Sequence, residues 1–134
     1  ITCSNAFLLQ ETNVVGQTNY ILRSNIKRQI LTENFISSPT NLINRELFFK
    51  SGKFDTDFPA LQDRDLWTNM ILHGARVYLH EEPLAYYRMH DAPSIGKSKN
   101  AKTAYAKYLN KYKTELVMNF AIKGAYNLIY NAFS

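Results

Sequence analysis

Between Leu61 and Arg88 the apolar residues change period from that of a helix to that of a strand, which confines this chain to a mixed α/β architecture. From Gln62, one helical face carries Leu66, Trp67, Met70 and Ile71, and Gly74 supplies the left-handed stop. Arg76–His80 and Leu84–Arg88 then read as two strands separated by Glu81-Glu82-Pro83. Upstream, Ile1–Gln10 reads as a strand leading to a turn or hairpin, since Asn13 and Gly16 follow closely. Ile26, Ile30, Leu31 and Phe35 recur at helical spacing, and Ser37-Ser38-Pro39-Thr40 breaks that helix. Leu42 and Ile43 suit a short buried strand; Asn44 caps a two-turn helix that Gly52 ends.

At 134 residues and 46% hydrophobic composition, the chain fits one globular core. The single cysteine, Cys3, excludes an intrachain disulfide and a cysteine-based zinc site, and suits a reducing, cytoplasmic setting. No secretory signal pattern is visible. Sixteen Lys and Arg against 11 Asp and Glu give a net charge of +5, which favours anionic partners without choosing among them. Lys97, Lys99, Lys102, Lys107, Lys111 and Lys113 occur with no acid between them, so an organisational boundary is expected near Gly96, dividing residues 1–96 from a helical arm at 97–134. Along the arm Ala101, Tyr105, Tyr108, Leu109, Tyr112 and Leu116 form one stripe, with most lysines opposite or flanking. The simplest account of those lysines is a solvated face; an anionic membrane surface is the second and nucleic acid the third, for which the arm lacks arginines and any known motif. The apolar residues beyond Leu116 are interrupted by Asn119, Lys123, Gly124, Asn127 and Asn131, and so fit an interfacial helix or a docking surface better than a membrane span, which needs about 20 mostly apolar residues.

Two constellations carry possible chemistry. Asp63 and Asp65 fall in the first turn of a helix, where the dipole favours negative charge by about 0.3–1 kcal/mol each. A carboxylate within hydrogen-bond reach of a hydroxyl can take its proton as that oxygen attacks, although acids are also routine in first turns for the dipole alone. Strand alternation puts Arg88 and His90 on one side, where a cation and an imidazole can meet a diphosphate or its metal; a surface histidine at a strand end is the plainer account of His90. Trp67 can stack on a sugar, but its place in the apolar stripe favours core packing. Of Tyr86 and Tyr87, one should face the core and the other is free to face a ligand.

Taken in order, Asn41-Leu42-Ile43-Asn44-Arg45-Glu46-Leu47-Phe48, Ser51-Gly52-Lys53-Phe54-Asp55, Gln62-Asp63-Arg64-Asp65-Leu66-Trp67 and Glu82-Pro83-Leu84-Ala85-Tyr86-Tyr87-Arg88-Met89-His90 resemble the second half of an inverting family 2 glycosyltransferase with the GT-A fold. The resemblance covers residues 1–96 and implies part of a Rossmann-like mixed sheet without its N-terminal nucleotide-binding half, followed by C-terminal amphipathic helices. It implies sugar transfer with inversion from a nucleoside diphosphate donor to a hydroxyl of a saccharide or lipid-linked acceptor, as in bacterial surface polysaccharide synthesis. By the same resemblance Asp63 is the general base, Gln62, Asp65 and Trp67 lie on the acceptor side with Asp65 acceptor-binding or structural, and Arg88 and His90 meet the diphosphate. A divalent Mn or Mg is normal in the family, and His90 is the residue nearest to it. The family's Asp-x-Asp metal motif has no counterpart here, so this chain alone is expected to be inactive and to self-associate through uncovered sheet, with possible peripheral contact at the inner face of a membrane. A non-catalytic carbohydrate-binding or assembly module is the alternative.

Overall fold

The computed structural model describes residues 1–89 and 99–120. Their sheet has three strands in the order β2-β1-β3, with β1 (Thr2–Gln10) central, β2 (Asn13–Gln17) antiparallel to it and β3 (Tyr78–Met89) parallel. The tight turn after Gln10 forms the expected hairpin, with Glu11 in the left-handed region at φ 53°. Two parallel neighbours need a long crossover, and it carries three helices: α1 (Ile26–Thr32), α2 (Arg45–Lys50) and α3 (Gln62–Leu72). After the crossover and β3 come α4 (Lys99–Lys111) and α5 (Lys113–Phe120).

Local signals set most of these limits. The Asn25 and Asn44 side chains accept from Arg28 N at 2.9 Å and Leu47 N at 2.8 Å, capping α1 and α2, and Gly52 and Gly74 close α2 and α3 at φ 85° and 93°. A 3₁₀ turn at Ser38–Thr40 replaces the helix that Pro39 forbids.

Two expectations are corrected. The segments 76–80 and 84–88 form one strand, not two, because β3 bulges instead of turning: Ser4 pairs with His80, but Asn5 pairs with Pro83 and Ala6 with Ala85. Buried Asn5 supports the irregularity, donating to the Glu81 carbonyl at 2.9 Å, and a bulge is where a strand tolerates proline. Leu42 is not in a buried strand; it makes an isolated bridge to Thr2 and is 77% exposed.

Two apolar clusters stack against α1 and α3. On the sheet side Cys3, Ile30, Phe35, Ile36, Leu66, Trp67, Met70, Ile71 and Leu79 pack together; on the other, Leu31, Phe58 and Ala60 meet Ala104, Tyr108, Leu109, Tyr112 and Leu116. Adjacent residues Ile30 and Leu31 thus serve different clusters. The boundary expected near Gly96 falls outside the described residues, and chain from either side of it shares the second cluster. Among the described residues no helix is long and apolar enough to cross a membrane; the apolar stretch from Ala121 onward lies outside them.

Candidate functional site

A cleft of about 470 Å³ opens where the sheet meets the loop after α1 and the start of α3. Leu8 and Tyr87, partners on one β1–β3 rung, form its floor, Thr18 and Tyr20 come from the segment after β2, Asn34 and Ile36–Pro39 contribute a rim, and Asp63 supplies a carboxylate. Asn5 holds two of these parts in place: its amide oxygen accepts from Thr18 Oγ1 at 2.9 Å and Tyr20 N at 2.8 Å, while its amide nitrogen donates to the Tyr20 carbonyl at 3.1 Å.

Asp63 is half-buried at this surface. Its Oδ1 accepts the Arg64 backbone N–H at 2.7 Å and its Oδ2 accepts the Ser38 hydroxyl at 2.5 Å, across 25 residues of chain. A carboxylate has room for about four hydrogen bonds, so acceptor capacity remains for a ligand hydroxyl. Desolvation, reinforced by Glu33 and Tyr87, keeps the Tyr20 phenol above its ordinary pKa, so Tyr20 offers a neutral O–H. Asn34 Oδ1 is a buried acceptor with no hydrogen-bond partner among the described residues. No lysine, arginine or histidine lines the cleft among the described residues.

The other sequence candidates separate from Asp63. Asp65 is 1% exposed and turned to the arm, where Lys111 Nζ and Tyr112 OH each approach its carboxylate to 2.8 Å; of its two expected roles, the structural one matches this placement. Trp67 is 2% exposed, packs in the sheet-side core with the Phe54 ring edge-on at 6.4 Å, and does not reach the cleft. Gln62 donates its amide to the Phe58 carbonyl at 2.9 Å. Tyr87 faces the cleft, so alternation carries exposed Arg88 to the opposite face of the sheet, where Tyr86 stacks on Phe7 at 5.4 Å. His90, expected beside the diphosphate and metal, lies outside the described residues.

Among the described residues, the divalent metal implied by the resemblance finds no cluster of carboxylates at the cleft. Mg and Mn bind through several oxygen ligands, whereas Asp63 is the single carboxylate on the cleft, and no group of three or more His, Cys, Asp or Glu converges among the described residues.

Sequence reading missed Tyr20, Asn34 and Ser38 as cleft residues. Ser38 read only as part of a helix break, and nothing local marks it as the partner of Asp63. It also missed Arg64, a buried guanidinium that donates to Tyr105 OH at 2.5 Å and the Leu31 carbonyl at 3.1 Å and lies over the Tyr105 and Tyr108 rings. Comparison with protein-family models, with curated proteins and with solved structures returns no match.

Proposed function

We propose that this chain carries the acceptor side of an inverting glycosyltransferase, with Asp63 as the general base. The observation that carries the reading is the setting of Asp63: a hydrogen-bonded carboxylate on a cleft of about 470 Å³ walled by Tyr20 and Tyr87 and free of basic residues among those described. Such a lining suits a neutral, hydroxyl-rich ring, because tyrosine faces cover apolar C–H surface while Asp63 accepts from a hydroxyl. In the reaction, the acceptor oxygen forms a bond to the anomeric carbon of a nucleotide-sugar and Asp63 takes its proton. The bond to the diphosphate breaks with its electron pair, and attack opposite the leaving group inverts the centre. None of the described residues is assigned to the donor, and none of these steps runs through a metal.

Asp63→Asn tests the assignment in this chain and in any longer polypeptide that contains it. Amide for carboxylate keeps the shape and removes the base, so transfer should fall by about 10²–10⁴-fold with folding intact. Turnover equal to that of the parent would defeat the assignment. Saccharide binding at the cleft with no transfer in any such polypeptide would favour the carbohydrate-binding module instead. The wholly exposed β2 and the exposed Leu84, Tyr86 and Met89 of β3 are consistent with self-association or with covering by further chain.

A further inference from the structure

Three consecutive residues at the start of α3 point to three different neighbours. Asp63 meets the cleft and Ser38, Arg64 meets the Leu31 carbonyl and Tyr105, and Asp65 meets Lys111 and Tyr112. The helix itself does little to fix this turn. Its N-cap position is Leu61, in the left-handed region at φ 62°, with no side-chain cap. A non-glycine residue in that region is strained and persists only where the surroundings hold it. Two of the contacts on this turn come from a segment more than 40 residues away: Arg64 to Tyr105 spans 41 and Asp65 to Lys111 spans 46.

We propose that α4 and the residue that follows it are a positioning element for Asp63: Tyr105 and Lys111 of α4, with Tyr112 just beyond its end, fix Arg64 and Asp65 from behind, and the first turn of α3 then presents the preceding carboxylate to the cleft. Lys111 is the central residue. Its ammonium lies 2.8 Å from buried Asp65 and 3.4 Å from Asp55, and Lys107 completes the group at 3.8 Å from Asp55. Tyr112 remains a donor to Asp65, since burial first and the adjacent carboxylate second raise its pKa. The catalytic consequence, though not the geometry, rests on reading Asp63 as the base.

Two backbone amides report this turn directly. The Arg64 N–H bonds the Asp63 side chain, and the Asp65 N–H bonds the Leu61 carbonyl at 2.9 Å. Hydrogen exchange in the whole chain should therefore show both amides at least tenfold faster in Lys111→Met. The His73 and Ala75 amides at the far end of α3, and that of Glu33 at the end of α1, should keep parental rates. Lys111→Arg, which keeps charge and reach, should restore the slow pattern. A uniform rise across α1 and α3 would reduce Lys111 to general support, and no rise at all would equally overturn the proposal. If Lys111→Met does not fold, Tyr105→Phe decides: it should speed the Arg64 amide alone among these, and an unchanged rate there contradicts the positioning. In a polypeptide competent for transfer, Lys111→Met should lower kcat with KM held; parental turnover in Asp63→Asn of that polypeptide would defeat the base assignment while the exchange pattern still decides the positioning.

Discussion

Two aspartates two positions apart, which sequence alone treats as equals, have opposite fates because a helix turns about 100° per residue. Asp63 meets a cleft and a serine, whereas Asp65 is sealed under Lys111 and Tyr112. Trp67, a candidate sugar platform, follows the same rule into the core, as its place in the apolar stripe suggested. Trp67→Ala should accordingly cost about 3–5 kcal/mol in urea unfolding, the usual range for an aromatic deleted from a core. Saccharide affinity of the folded fraction should stay at the parental value, and a selective loss of affinity without a loss of stability would put the indole at the ligand after all. Asp63 stood out in the sequence by its place in a helix's first turn, and it lines the cleft. Ser38, Asn34 and Tyr20 did not, since each lies between the α-helices and strands: Tyr20 is held by Asn5, and Asn34 and Ser38 fall in the segment after α1.

At the scale of elements, caps and glycine stops made α1, α2 and α3 readable, because those signals act within a few residues. The continuity of β3 was hidden: Glu81-Glu82-Pro83 reads locally as a turn, and only Asn5 on the neighbouring strand makes it a bulge. The arm was half visible. Its stripe of Tyr108, Leu109, Tyr112 and Leu116 is buried as the periodicity requires, but Lys107 and Lys111 do not simply face water; they meet Asp55, and Lys111 also meets Asp65. Charge patterning along one helix carries no information about acids elsewhere in the chain. The α3–α4 contact also includes Tyr108, whose hydroxyl lies 2.7 Å from Thr68 Oγ1 and donates to the Ile30 carbonyl at 3.2 Å. Tyr108→Phe keeps the ring and removes those bonds, so it should lower stability by about 0.5–1.5 kcal/mol with an unchanged urea m-value. Parental stability in that variant would mean that the polar contacts between the helices contribute nothing net.

For the whole molecule, the buried acids that must stay protonated set its alkaline limit. Burial raises the Cys3 thiol from 9.0 to about 11, and the phenols of Tyr20, Tyr108 and Tyr112 are all raised from 10.0 with desolvation as the leading cause. Where a folded pKa lies above its unfolded value, the unfolded chain releases its proton first and binds fewer protons over the interval. Unfolding free energy then falls as pH rises. Denaturation midpoints should begin to drop near pH 9, as the unfolded thiol ionises, and fall more steeply above pH 10, where the unfolded phenols follow. A midpoint constant from pH 8 to 11 would contradict the burial of these groups. What the sequence conveyed at this scale was the α/β class; the division of the expected one core into two clusters, and how the arm closes over α1 and α3, depend on contacts between distant residues and could not be read from it.

The proposed role of the Asp63 cleft is to receive the hydroxyl of a sugar acceptor during inverting transfer. Its most direct test is to present nucleotide-sugars and saccharide acceptors, with Mn or Mg, to this chain and to any longer polypeptide containing it, following turnover and the anomeric configuration of the product by NMR. The account predicts transfer with inverted configuration wherever the donor-binding residues are also present, lost in Asp63→Asn. Product of retained configuration, or inverted product formed at the parental rate by Asp63→Asn, would contradict it.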